Sequence, residues 1–253
     1  KLLLTPEKSI QLQMGYGSDI LICLDDCTHV TASRAEQEAS VSRTLAWAAR
    51  AKASYLAQLK SRKWSDENRP LLFAVIQGGA ELDLRRRCAE GLLEIGFDGF
   101  GFGGWPLDEE SNLITDILEY TRSLIPREFP IHALGIGHPA GIVTSFRLGY
   151  EMFDCALPTR DARHGRLYTW SKANAALTPD GSWLKFRYIN TEDNFRDAGP
   201  ISPDCDCECC RDYSMGYLFH LYRMRDTSYM RLATKHNLRF MTRLIERLKD
   251  PNA

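Results

Sequence analysis

Apolar runs and amphipathic stretches alternate along most of the chain. The runs "DILICLDDC" (19–27), "LLFAVIQGG" (71–79), "GFDGFGFGG" (96–104), "IHALGIG" (131–137) and "MFDCALPT" (152–159) are continuous rather than alternating. That pattern predicts strands buried on both faces. Between them the apolar positions fall at helical spacing over 34–59, near 81–95, over about 108–125 and near 139–148. Thr5 as N-cap and Pro6 at the first helical position sign a further helix at the start, running through Ile10.

Strands separated by helices predict an α/β fold with a parallel sheet covered on both sides. Polar residues or glycines recur where the strands finish: Asp25, Gln77, Gly104, Gly137 and Asp154. In a (β/α)8 barrel those ends line the active-site mouth. An open doubly wound sheet is the alternative. Five strands are clear and a sixth is expected around "LYTW" (167–170), where a closed barrel has eight. Two or three N-terminal βα units are therefore expected to be absent, and the sequence reads as the C-terminal portion of a longer protein. From about residue 183 the pattern becomes a short strand, then turn-rich sequence, then helices over 213–224 and 228–248. Residues 1–182 are expected to form the barrel portion and 183–253 a separate zinc-binding subdomain. Leu232, Phe240 and Leu244 in the last helix fit either a core or an interface.

Composition narrows the partners. With 44% hydrophobic and 26% charged residues the chain can bury a full core. A net charge of −1 excludes a globally basic nucleic-acid binder, so any RNA contact must come from a local patch. No apolar run approaches the roughly 18 residues of a membrane helix, and no signal peptide opens the chain. Eight cysteines are present, four of them crowded into "CDCECC" (205–210), which suits a metal site in a reducing, cytoplasmic compartment. Cys205, Cys207 and Cys210 have the spacing C-x-C-x-x-C. Three thiolates and one imidazole close a tetrahedron around zinc, a structural arrangement because no position remains for water. His236 and His220 compete as the fourth ligand, and Cys209 is a spare thiol.

The stretch "MFDCALPTRDARHGR" (152–166) puts Asp154 at a strand end, then a proline turn, then the cations Arg160, Arg163, His164 and Arg166. This segment, with "GSDILICLDDCT", "FAVIQGG", "EIGFDGFGFGG" and "CDCECC…HNLRF" in that order, resembles the tRNA-guanine transglycosylases. The likeness covers essentially the whole chain from Leu4 to about Leu248. It implies a (β/α)8 barrel with a zinc subdomain, one structural zinc ion, and His236 as the fourth ligand. It implies exchange of the wobble guanine of tRNA anticodons for a 7-deazaguanine base, either the aminomethyl precursor or queuine. Because the sequence stops just after its last helix, the anticodon-specific branch is expected rather than the archaeal one.

By the same resemblance Asp154 is the nucleophile that forms a covalent RNA intermediate, and Arg160 and Arg163 grip the anticodon loop. Asp25 accepts from the guanine ring N–H and amine, and Gln77 donates to the purine carbonyl. Gly104 and Trp105 line the base pocket, with Cys27 and Gly103 nearby. Asp26, one residue further along the strand, is expected to face the other way. A homodimer is implied on resemblance alone. Two features depart from the family: its second aspartate, a general acid/base in the N-terminal barrel section, has no counterpart here. In "GGWPLDEE" (103–110), Trp105 stands where related bacterial enzymes carry Leu. Two other functions fit less well: a non-catalytic, zinc-stabilised tRNA-binding subunit, and a barrel glycosidase acting on sugars.

Overall fold

The structure, a computed structural model, describes residues 3–29, 31–172 and 175–250. It divides into two compact units. The first comprises Lys1–Gly135 with Arg147–Phe153, and the second Ile136–Phe146 with Asp154–Ala253.

The first unit opens on α1 (Pro6–Tyr16), capped by Thr5, whose hydroxyl accepts from the Lys8 N–H at 3.2 Å. Its sheet consists of β1 (Ile20–Ile22), β2 (Leu71–Ile76), β3 (Gly99–Phe102), β4 (Ile131–Ala133) and β5 (Met152–Phe153). All neighbours are parallel and the order is β1-β2-β3-β4-β5. Strand order follows chain order without reversal. A doubly wound sheet reverses at a switch point, so these five strands are a section of a (β/α) barrel. The helices between them in sequence are α2 (Arg34–Arg62), α3 (Leu82–Ile95) and α4 (Thr115–Ser123) in this unit, and α5 (Pro139–Leu148), most of which falls in the second unit. The Ser33/Glu36 capping box starts α2, each side chain bonding the other's backbone N–H.

Three expectations change. The strands expected over 19–27, 71–79, 96–104 and 131–137 are shorter, because each apolar run continues past the ladder into the loop that follows it. Of the run 152–159 only β5 is strand, half-buried at the sheet edge, and Leu157–Arg163 forms a helix, α6, with Pro158 in its first turn. A proline there needs no N–H partner, so the residue read as a turn instead starts a helix. The "LYTW" segment is no sixth barrel strand: β6 (Arg166–Trp170) pairs antiparallel with β7 (Leu184–Tyr188). This hairpin runs across residue 182.

An ion pair fastens the first unit at the entrance of β2. The Arg69 guanidinium forks onto Asp98 at 2.7 and 2.8 Å, and Asp98 also accepts the Leu72 N–H at 2.8 Å. Burial pushes the Asp98 carboxyl up, but Arg69 and that N–H outweigh it and hold it below the usual carboxylate range. A lowered folded pKa stabilises above the unfolded value of about 4, and the gain is lost as pH falls through the folded value. Arg69→Met is expected to cost about 1–3 kcal/mol at neutral pH, with the difference shrinking in acid. Urea unfolding at two pH values checks this.

The second unit packs α6, the β6–β7 hairpin, α7 (Glu208–Asp212), α8 (Met215–Arg223) and α9 (Thr227–Lys249). The inner face of α9 carries Tyr229, Leu232, Ala233, His236, Asn237, Phe240 and Leu244, all buried at i, i+3, i+4 spacing. Leu232, Phe240 and Leu244 are therefore core. Phe240 stacks on Trp170 with ring centroids 4.4 Å apart, and Trp183 lies against the same pair. Among the described residues no helix is long and apolar enough to cross a membrane.

Candidate functional site

The ends of β1, β2 and β3 bring together most of the expected base-pocket residues within the first unit. Asp25 follows β1 and Gln77 follows β2; their side chains meet, with Gln77 Nε2 donating to Asp25 Oδ2 at 2.5 Å. A carboxylate only accepts, so the amide must turn its nitrogen toward it. That leaves Gln77 Oε1 fully buried with no hydrogen-bond partner among the described residues. Buried polar atoms nearly always have partners, so this one marks a place for a donor. Asp26 points elsewhere, to an ion pair with Arg43 on α2, while its N–H donates to Thr44 at 3.0 Å.

Burial pushes the Asp25 carboxyl above its ordinary range, against the pull of the Gln77 hydrogen bond. A raised folded pKa means that the fold penalises the charged form. The penalty is absent at pH values below the unfolded pKa of about 4 and grows as pH rises toward the folded value. Cys27, exposed at the surface, is also raised, chiefly by partial burial of its sulfur and by Asp25, with a hydrogen bond from the Gly104 backbone opposing.

Backbone geometry explains the glycines here. A Cβ on Gly103 would lie 2.5 Å from Gln77 Nε2 and 2.6 Å from Val75 Cγ1, and Gly104 sits at φ +92°. Any side chain at 103 would displace Gln77. Trp105 is 57% exposed and stands at the rim of a cleft of about 340 Å³. Gln37, Gly79, Gly104, Asp108 and Glu110 also line it. The helix expected from 108 begins only at Thr115; a turned loop precedes it, closed by Asp108 accepting the Asn112 N–H at 2.7 Å.

Two contributors were missed from sequence, Gln37 and Arg85. Arg85 is fully buried and donates to the carbonyls of Gly79 (2.7 Å), Ile76 (3.2 Å) and Gly103 (3.0 Å). A signal existed: in "LRRRCAEGL" Arg85 shares a helical face with Cys88, Ala89 and Leu92, whereas Arg86 and Arg87 do not.

In the second unit Asp154 is exposed just ahead of α6, which carries Arg160 and Arg163 three residues apart. Both arginines are exposed, and among the described residues no ion pair engages either guanidinium. Asp161 between them is occupied, accepting the Tyr168 hydroxyl at 2.7 Å. Asn237 on α9 holds α6 and β6 together. Its amide donates to the carbonyls of Pro158 and Arg166, both at 3.0 Å, and accepts the Tyr168 N–H at 3.0 Å.

The residue before it, His236, joins Cys205, Cys207 and Cys210 in a group whose donor atoms all lie within 4.8 Å of one another. His236 Nε2 donates to the Tyr168 carbonyl at 2.8 Å, so Nδ1 presents its lone pair toward Cys210 Sγ at 3.3 Å and Cys207 Sγ at 3.8 Å. Hydrogen bonds from Cys205 and Cys210 hold the Cys207 thiol far below its ordinary range. Three soft sulfur donors and one imidazole fit a tetrahedral metal ion. His220 is exposed and lies outside the group, as does Cys209, whose burial pushes its thiol up to about 12.

A family model described as queuine tRNA-ribosyltransferase matches residues 1–251. The chain is similar to the queuine tRNA-ribosyltransferase of Psychrobacter sp. (strain PRwf-1), 36% identical over 251 residues. That match covers 99% of the chain and 61% of the relative. It is also similar to the protein of the same name from Lysinibacillus sphaericus (strain C3-41), 37% identical over 250 residues, covering 99% of the chain and 60% of the relative. The chain thus spans about three fifths of the length of these curated relatives.

Proposed function

The chain belongs to the queuine tRNA-ribosyltransferase family, and from that premise we propose that it carries the base pocket and nucleophile of a tRNA-guanine transglycosylase. An Asp154 carboxylate oxygen attacks C1′ of the wobble nucleoside. The C1′–N9 bond breaks, its electron pair leaves with guanine, which takes a proton from water, and an acylal-type Asp–ribose bond forms. A 7-deazaguanine base, as the aminomethyl compound or queuine, then attacks C1′ through N9, gives its N9 proton to water and releases Asp154 as the carboxylate. Two displacements at one carbon retain its configuration. Arg160 and Arg163 hold the anticodon-loop phosphates while the base is splayed out.

The observation that carries this reading is the Asp25–Gln77 couple. Asp25 offers acceptors to the guanine N–H and amine; Gln77 offers an unpartnered buried oxygen and a remaining N–H. Guanine presents a matching mixture of donors and an acceptor. Cys27, Gly104 and Trp105 complete the wall. Residues 1–182 take the catalytic role and 183–253 the metal-binding one. Cys205, Cys207, Cys210 and His236 hold one zinc ion, which when bound supplies a cross-link rather than chemistry. The protein works in the cytoplasm as a homodimer.

The test is incorporation of labelled guanine into tRNA by the purified protein as its gene encodes it. Asp25→Asn is expected to lower kcat/KM on the order of 10²-fold, because an amide cannot accept from both donors. The wild-type affinity for guanine should fall as pH drops through the raised Asp25 pKa, since only the carboxylate accepts twice. The same variant should melt at a higher temperature than wild type at neutral pH, the burial penalty being gone. Absence of exchange by wild type, with tRNA still bound, would favour a non-catalytic zinc-stabilised subunit instead.

A further inference from the structure

Arg85 is a full positive charge inside the first unit with no carboxylate bonded to it among the described residues. Each of its three nitrogens donates to a backbone carbonyl, and its guanidinium lies 4.2 Å from the centroid of Phe102. Such a site is costly: an apolar side chain of the same length would be expected to stabilise the core at least as well. The carbonyls it holds explain its place. Ile76 precedes Gln77, Gly79 follows it by two residues, and Gly103 precedes Gly104. The next turn of α3 grips the same strand end, where Cys88 Sγ accepts the Gln77 N–H at 3.4 Å. Arg85 Nη2 also lies 3.6 Å from where a Cβ of Gly104 would stand.

We infer that Arg85 is a positioning residue of the base pocket: its planar fork locks the β2 and β3 ends in one geometry and so sets where Gln77 and the Gly103–Gly104 backbone meet a purine. Lysine is no substitute, since one ammonium cannot hold three carbonyls in a plane. Burial lowers the Arg85 pKa only to about 10, so the fork remains charged at neutral pH. The inference rests on the base-exchange reading above.

The experiment is steady-state exchange of labelled guanine into tRNA by the protein as its gene encodes it, as wild type, Arg85→Lys and Arg85→Met, with thermal melting of each. Expected are a rise of about tenfold or more in KM for guanine in Arg85→Met, a smaller rise in Arg85→Lys, and an unchanged KM for tRNA. Should Arg85→Met fail to fold, Arg85→Lys carries the comparison. Folded variants with wild-type KM for guanine, or with kcat and both KM values degraded together, would overturn the positioning role and leave the enzyme reading intact. A wild type that neither exchanges nor binds guanine would bring down the base-exchange reading and this inference with it.

Discussion

Asp154→Ala is expected to leave a folded protein that still binds tRNA but exchanges guanine at least about 10³-fold more slowly and forms no covalent RNA adduct. The side chain is exposed, so its removal opens no cavity in the core. Its entire proposed role is to make and break one bond at C1′. Asp161, seven residues on, already accepts from Tyr168 and pairs with Arg166. The measurement is denaturing electrophoresis of protein incubated with an anticodon stem-loop, beside the guanine exchange assay. An adduct of normal yield in Asp154→Ala would remove this residue from the mechanism.

The second large effect concerns the metal. Stripping it with a chelator, or replacing Cys210 by Ala, is expected to unfold most of the second unit. A structural zinc site contributes on the order of 10 kcal/mol at neutral pH, as much as the whole stability of a typical domain. The consequence reaches α6 through one residue of sequence. His236 would be the ligand and Asn237, next on α9, clamps Pro158 and Arg166; the Tyr229 hydroxyl on the same helix donates to Ala162 at 3.0 Å. Loss of the ion therefore releases the helix that carries Arg160 and Arg163. Circular dichroism should show lost helix, and the emission of buried Trp183 should shift to the red. Exchange activity should disappear with the same chelator dependence. Protein that contains no zinc by elemental analysis, yet keeps its spectrum and activity, would contradict the assignment.

Much of the candidate site could be read from residue types at strand ends. Asp25, Gln77 and Gly104 follow three apolar runs, and the structure brings them to one place because parallel neighbours in chain order end at the same rim. What could not be read was which groups touch. Gln77 turns its amide nitrogen to Asp25 and leaves its oxygen bare, a choice made by a partner 52 residues away. Its helical face sets Arg85 apart from Arg86 and Arg87, but which carbonyls it holds was decided only when α3 packed onto the strand ends.

Local chemistry, then, was settled by the chain itself. The caps at Thr5 and Ser33, the alternation of strand and helix, and the C-x-C-x-x-C thiols depend on residues a few positions apart. Tertiary packing decided the rest. It ended β1 after three residues, joined β6 to β7 rather than to the parallel sheet, and chose His236 over His220 by burying one and exposing the other. These outcomes depend on which surfaces meet across long loops, and burial is a property of both partners, so neither segment encodes it alone.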